Sequence, residues 1–249
     1  MFHKRFRNPI YALYGFVRFA DEIVDTFHDF DKPSLIAQFR HDTFDAIEVG
    51  ISLNPILHAF QEVVNKYSID RELIDAFLVS MEMDLDKTTF DRKQYDNYIY
   101  GSAEVIGLMC LRIFVEGDSD QYHELSYSAQ KLGAAFQKVN FLRDIKSDFE
   151  ERGRVYFPDV DYQKFSCDQK QVIEQEIEHD FAEALHGLRR LPNGSKLGVF
   201  VAYLYYNRLL KRIKNFTAQE VLKQRIRISD INKFILLIYS TLKYRLRVI

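Results

Sequence analysis

Apolar positions along this chain return every three or four residues, the period of an α-helix rather than the alternation of a strand. Ile10, Leu13, Val17, Ala20 and Val24 make such a stripe and predict a helix from Ile10 to Phe27. Residues 31–50, "DKPSLIAQFRHDTFDAIEVG", carry a proline near the first turn and end in Gly50, the asymmetry expected of a helix. Residues 54–68, "NPILHAFQEVVNKYS", repeat that opening, and Asp70 is placed to cap "DRELIDAFLVSMEMDLDK". The same period predicts helices over 92–115, about 122–151, 168–190, 196–214 and 228–247. Breaks fall at Gly117-Asp118, at "RGRVYFPDVD" (152–161) and at "LPNGS" (191–195). No segment sustains strand alternation, and no repeat or low-complexity linker interrupts the pattern. One all-α domain over residues 1–249, with roughly eight helices, is the expected architecture.

Composition narrows the class. Hydrophobic residues make up 47% of the chain, and only 10 Gly and 5 Pro punctuate it, which suits long helices and argues against an all-β fold. With 21 Phe and 15 Tyr, the chain has rings enough for a large apolar core or cavity. A net charge of −2 gives no reason to expect nucleic acid as a partner. The charge is uneven, however: from Arg208 to Ile249 eleven Lys or Arg stand against two acids, Glu220 and Asp230. That end is either a solvated helix face or a surface for anionic lipid or substrate. Two cysteines, Cys110 and Cys167, form neither a disulfide framework nor a metal-ligand spacing and suit a reducing cytoplasm. No signal peptide or membrane-length apolar run is visible, so a cytoplasmic protein is expected, with peripheral contact at the inner membrane face as an extension of the basic C-terminal end.

Candidate chemistry lies in two acidic ladders. Asp21 and Asp25 sit four apart on the first helix, and Asn140, Asp144 and Asp148 recur at the same step on a later one whose other face carries Val139, Leu142 and Ile145. Side chains at i and i+4 stand on one helical face. Singly, each ladder reads as an exposed face neutralised by Arg18, Arg143 or Lys146. Facing each other, they would set four carboxylates across a cleft, an arrangement too repulsive to bury without a compensating cation. Hard divalent ions take such oxygen donors, and Mg²⁺ commonly shares them with substrate phosphates. No P-loop accompanies the ladders, which leaves diphosphate chemistry inside a helical bundle.

The chain resembles the squalene and phytoene synthases, head-to-head prenyl synthases of the all-α isoprenoid fold. "YALYGFVRFADEIVD" resembles the family's first motif through Tyr14, Arg18, Asp21 and Asp25. "YIYGSAEVIG" resembles its tyrosine-containing middle segment through Tyr98. "FQKVNFLRDIKSDFEERGRVYFP" resembles its second acidic motif through Gln137, Asn140, Arg143, Asp144 and Asp148. "VAYLYYNRLL" is similar to the helix bearing a cavity tyrosine, at Tyr205. The resemblance implies a single isoprenoid-synthase bundle with a central apolar cavity. It also implies a further helix upstream of the first motif, which this chain is expected to lack. Glu104 stands where many members have a small residue.

Several expectations follow from the resemblance. Asp21, Asp25, Asp144 and Asp148, with Asn140, are expected to hold Mg²⁺, or Mn²⁺ in its place. Arg18, Arg143, Gln137 and Asn140 are expected to bind prenyl diphosphate substrates. Tyr98, Tyr14 and Tyr205 are expected to line the catalytic cavity. Two geranylgeranyl diphosphates condensing to phytoene through a cyclopropylcarbinyl diphosphate is the first expectation, with no NADPH. A farnesyl diphosphate-using dehydrosqualene or squalene synthase is the alternative, the squalene type alone requiring NADPH. A non-catalytic scaffold on the same fold is the alternative from another class. Prenyl length and oligomeric state are not legible in the residues.

Overall fold

The computed structural model describes residues 1–86 and 89–246. Helices α1 (Lys4–Thr26), α2 (Lys32–Val49), α3 (Pro55–Tyr67) and α4 (Arg71–Asp86) form one side of the bundle. Then α5 (Arg92–Ile99) runs through a π-turn, Tyr100–Glu104, into α6 (Val105–Phe114). The long α7 (Ser119–Arg152), α8 (Cys167–Leu188), α9 (Asn193–Lys214), the short α10 (Ala218–Val221) and α11 (Asp230–Arg245) complete it. Among the described residues the sole β-pairing is an isolated bridge between Thr89 and Val155.

Most boundaries follow from local chemistry. Asp31, Asn54 and Asp118 accept hydrogen bonds from backbone N–H groups in the first turns of α2, α3 and α7. Asp91 with Gln94, and Ser166 with Gln169, form reciprocal capping boxes at α5 and α8. Gly50 and Gly153 end α2 and α7 at φ 79° and 64°, the left-handed region a glycine enters without steric cost.

Four elements depart from the sequence pattern. Helix α1 starts six residues earlier than Ile10, because His3 caps Lys4 onward and Pro9 is carried inside the helix. Its buried face is also rotated: Phe6, Phe16 and Ile23 join Leu13, Ala20 and Val24 in the core, while Ile10 and Val17 are only partly covered. The helix expected over 92–115 is divided by the π-turn, whose extra residue per turn is invisible to a 3.6-residue period. The short α10 and a 3₁₀ turn at Tyr162–Lys164 lie in stretches read as loop.

The core between α1, α2, α3 and α4 is built on phenylalanine. Phe16 stacks on Phe60 with centroids 3.9 Å apart and meets Phe39 and Phe77 at 5.5 Å. Helix α6 packs against both α1 and α7, with α4 seated on α1 and on the π-turn, and the π-turn seated on α7. The spacing of that packing depends on glycine. A Cβ built on Gly133 of α7 would stand 2.4 Å from the Ala103 carbonyl oxygen of the π-turn, and one on Gly107 of α6 2.5 Å from the Ala129 carbonyl oxygen. Gly133→Ala is therefore expected to lower stability by about 1–3 kcal/mol through overpacking. Urea denaturation should show the midpoint falling at unchanged slope; an unchanged midpoint would mean that the helices do not need this approach.

Candidate functional site

Both acidic ladders open into the same cleft. Asp21 and Asp25 from α1, with Asn140, Asp144 and Asp148 from α7, line a polar pocket of about 570 Å³. Arg18, Gln137 and Arg143 line it too, as does the Tyr98 ring. The buried face of α7, Val139, Leu142 and Ile145, anchors the ladder from behind. Nine of the eleven residues expected in the site thus meet at one place, drawn from helices more than a hundred positions apart.

Arginines bridge the carboxylates. Arg152 donates to Asp25 at 3.3 Å and to Asp148 at 3.1 Å, tying the two ladders together. Asp144 is held from two sides, by Arg143 at 2.5 Å and by Arg225 at 2.7 Å. Arg18 reaches Glu22 at 2.6 Å, one turn along its own helix. Among the described residues, Asp21 makes no hydrogen bond or ion pair. Its carboxyl is pushed up to about 7 by burial and then by the charge of Asp25. Asp148 is likewise raised to about 7, by burial and then by Asp144, although Arg152 and Arg154 oppose the shift.

A third acid completes the floor. Asp84 of α4 is buried and raised to about 6, chiefly by desolvation, with Arg154 pulling the other way. It accepts hydrogen bonds from the Tyr98 hydroxyl at 2.7 Å and the Tyr156 hydroxyl at 3.3 Å. Arg154 also lies 3.8 Å from Asp25. The rings of Phe90, Tyr98, Phe141 and Tyr156 pack on one another behind these groups, with Phe141 and Tyr156 stacked at 3.9 Å. Burial, followed by the Asp84 charge, raises the Tyr98 hydroxyl well above the ordinary phenol range. Tyr98 is therefore a donor and an aromatic wall, and its buried hydroxyl is a poor base.

Asp84, Arg152, Arg154, Tyr156 and Arg225 were not among the expected site residues. "RGRVYFP" directly after the second ladder offered a signal for Arg152, Arg154 and Tyr156. Asp84 and Arg225 had none, since their partners lie 70 and 81 positions away.

Two expected residues stand elsewhere. Tyr14, one turn before Arg18 on the same face of α1, is 63% exposed and lines no part of the cleft. Tyr205 lines an apolar groove between α9 and α11, with Gly198, Ala202, Phe234 and Leu237. Its neighbour Tyr206 is the residue facing α7, stacked on Phe136 at 4.1 Å and beside Asn140. One residue along a helix turns the side chain by about 100°, enough to exchange one face for another. Glu104 of the π-turn is half-buried, with Lys131 and Lys138 opposing the rise in its pKa that burial causes.

The donor set suits a hard cation. Asn140 Oδ1 is buried without a hydrogen-bond partner, an acceptor left for a ligand at the first rung of the α7 ladder. Among the described residues no three acidic, histidine or cysteine side chains are gathered tightly enough to enclose an ion by themselves. Any ion held here must complete its shell with water or with oxygens of a bound molecule. The cleft shares Ser102, Ile106 and Gln137 with an adjoining apolar pocket of about 320 Å³, walled by α6, α7 and α9. A polar chamber thus borders a greasy one.

Comparison with known proteins accords with this geometry. The family model described as squalene/phytoene synthase matches residues 1–232. A presqualene diphosphate synthase of Rhodopseudomonas palustris is 33% identical over 156 residues, covering 61% of this chain and 53% of that protein. A chloroplastic phytoene synthase of an Oncidium hybrid is 28% identical over 240 residues, 85% of this chain and 57% of its own length. A 4,4'-diapophytoene synthase of Staphylococcus haemolyticus is 28% identical over 180 residues, 70% of this chain and 59% of its own. The chain thus spans a little over half the length of these curated relatives, 53 to 59%. Among solved structures, a dehydrosqualene synthase superposes with a TM-score of 0.81 at 21% identity, over 98% of this chain and 89% of that one. Squalene synthase HpnC from Alicyclobacillus acidocaldarius gives 0.75 at 19% identity, over 86% and 84%. At such identities the two structures establish the fold, that of the isoprenoid synthases.

The raised carboxyls set a pH dependence for the metal-free protein. Between the unfolded value of 3.8 and the folded value near 7, Asp21 and Asp148 keep protons in the native chain that the unfolded chain has lost. Their contribution to stability is greatest at the acidic end and is lost as pH rises through 7. Asp21→Asn should remove its share. Urea titrations at pH 5 and pH 8 should show a smaller loss of stability on going to pH 8 in the variant than in the parent, and equal losses would refute the assignment.

Proposed function

The chain belongs to the squalene/phytoene synthase family, and on that premise we propose that it joins two prenyl diphosphates head to head. The observation carrying this reading is the adjacency of the two chambers: carboxylates of α1 and α7 line one cleft, which shares Ser102, Ile106 and Gln137 with an apolar pocket. An amphiphile with a diphosphate head and an isoprenoid tail has the chemistry of both. Two geranylgeranyl diphosphates giving phytoene is the specific reaction proposed, without a nicotinamide reductant. It is supported by the phytoene synthases, whose similarity extends over 85% of this chain, further than that of the presqualene and diapophytoene enzymes.

Asp21, Asp25, Asp144, Asp148 and Asn140 would hold Mg²⁺, and the orphaned Asn140 acceptor and the proton-retaining carboxyls support that fit. When bound, the ions would neutralise the diphosphate and make it a better leaving group. The chain's own residues do the rest. Arg18 and Arg143 stand beside the ladders with forked donors suited to phosphate oxygens. Gln137, on the border of both chambers, is placed to orient the substrate where head meets tail. In the first step the C1–O bond of one substrate breaks and its electron pair leaves with diphosphate. The double bond of the second substrate attacks the allylic cation, and loss of a proton closes a cyclopropane. Ionisation of that cyclopropylcarbinyl diphosphate, rearrangement and a second proton loss give the hydrocarbon.

Such cations are quenched by water, so the apolar walls matter as much as the charges. The face of Tyr98 and the neighbouring rings of Phe141 and Tyr156 offer π-electron density at roughly 0.5–2 kcal/mol each. Asp84 holds Tyr98 in place through a 2.7 Å hydrogen bond.

Purified protein incubated with Mg²⁺ and geranylgeranyl diphosphate should yield phytoene, identified by chromatography and mass spectrometry of the extract, equally with and without NADPH. Asp144→Asn should cut turnover at least ~100-fold. Hydrocarbon from farnesyl diphosphate alone would reassign the substrate, and undiminished turnover in Asp144→Asn would remove that residue from the ion site.

A further inference from the structure

Helix α11 turns an apolar face outward. Ile231, Phe234, Ile235, Ile238 and Leu242 are 75, 63, 54, 47 and 53% exposed, Phe234 at the edge of the face where it also borders the groove toward α9. At about 100° per residue they fall within an arc of roughly 100°, a single stripe some 17 Å long. The opposite side is seated: Leu236 and Leu237 meet the groove beside α9, Ser240 is buried, and the Tyr244 hydroxyl donates to the Asn193 carbonyl at 2.8 Å. An isolated exposed leucine means nothing, but five aligned large apolar residues on one helix mark an interaction surface.

Charge identifies the occupant. Arg227 lies just before α11, and Lys243 and Arg245 lie in its last turn. Among the described residues none of these three makes an ion pair, and neither do Lys211 and Arg212 at the end of α9. The stretch from Arg208 onward holds eleven cations and two acids; Lys214, Arg225 and Lys233 are paired, with Glu178, Asp144 and Asp230, and among the described residues the five named above are left without an acid. A second copy docked by two-fold symmetry would bring these cations against their own equivalents, with no acidic counterpart to receive them. An anionic lipid headgroup layer supplies both missing partners, phosphate for the Lys and Arg heads and acyl chain for the stripe. The helix would lie in the interface plane, since no helix among the described residues is long and apolar enough to cross a membrane.

We infer that the outward face of α11 docks this protein on an anionic lipid surface. The placement also has a bearing on traffic. The groove behind α11 is lined by Gly198 and Ala202, and the same two residues line the apolar pocket beside the cleft. Docked lipid and the pocket would then be separated by one shared wall, a short path for a hydrocarbon product. That path rests on the prenyltransferase reading; the docking does not.

Flotation of the full chain, without substrate or Mg²⁺, with vesicles of phosphatidylglycerol and phosphatidylcholine tests the inference. Binding should be at least tenfold stronger than to phosphatidylcholine alone and should weaken as salt rises. Ile238→Glu with Leu242→Glu should abolish it at unchanged helicity, and Lys243→Glu with Arg245→Glu should weaken it at least tenfold. As a check independent of those variants, a polarity-sensitive fluorophore placed at Ile238→Cys in a Cys167→Ser background should shift to the blue with anionic vesicles. Labelling at Cys110, partly covered in the apolar pocket, is read separately from the Cys167→Ser chain that lacks Ile238→Cys. The same probe at Val172→Cys, exposed on α8, should not shift. Absence of vesicle binding, binding indifferent to the α11 variants, or a dimer in ultracentrifugation that those variants dissociate would overturn the inference.

Discussion

Carboxylates that face one another in a half-buried cleft are the constraint around which this molecule is arranged. Burial alone raises an acid's pKa, and a like charge beside it raises it further. Asp21 and Asp148 show both effects, each reaching about 7. The chain relieves the remaining charge with arginines: Arg152 spans Asp25 and Asp148, while Arg143 and Arg225 clamp Asp144. These pairs are an arrangement for the metal-free state. Cations delivered with a diphosphate would compete for the same oxygens and free the guanidinium forks for phosphate, which makes the cleft receptive rather than merely tolerant.

The fold serves that constraint by rigid placement. Helix α7 presents Asn140, Asp144 and Asp148 on one face while Val139, Leu142 and Ile145 fasten the other into the core. The phenylalanine cluster around Phe16 does the same for α1. The π-turn after Tyr98 packs closely on Gly133 of α7, and α6 beyond it reaches both α7 and α1. The turn also places Ser102 on the boundary between the polar and apolar chambers. A π-turn at such a position is where local irregularity tends to serve function rather than stability.

The sequence discloses unevenly. Both ladders were legible, because steps of four on an apolar helix translate directly into a face. The helical class and many helix ends were legible too, through openings such as Asn54-Pro55 and stops such as Gly50, whereas the Ser166 cap of α8 was not read. Partners far apart in the chain were not. Asp84 meets Tyr98 and Arg154 only after α4 has packed against the α5–α6 rod, and Arg225 reaches Asp144 from beyond α10. Rotation about a helix axis was also beyond reach at single-residue accuracy, which is why Tyr206, and not Tyr205, turns toward Asn140. Tyr14 shares the face of Asp21 and Asp25, yet nothing in a periodic pattern says where along a helix the covering elements end.

In the proposed function, the carboxyls of Asp21 and Asp148, which retain protons up to about pH 7, would give them up to receive cations. Isothermal calorimetry at pH 6.5, adding preformed magnesium diphosphate in buffers of different ionisation enthalpy, reads that exchange directly. The expected result is net proton release on binding, reduced in Asp21→Asn and in Asp148→Asn. Binding without proton release, or release that neither substitution alters, would contradict it.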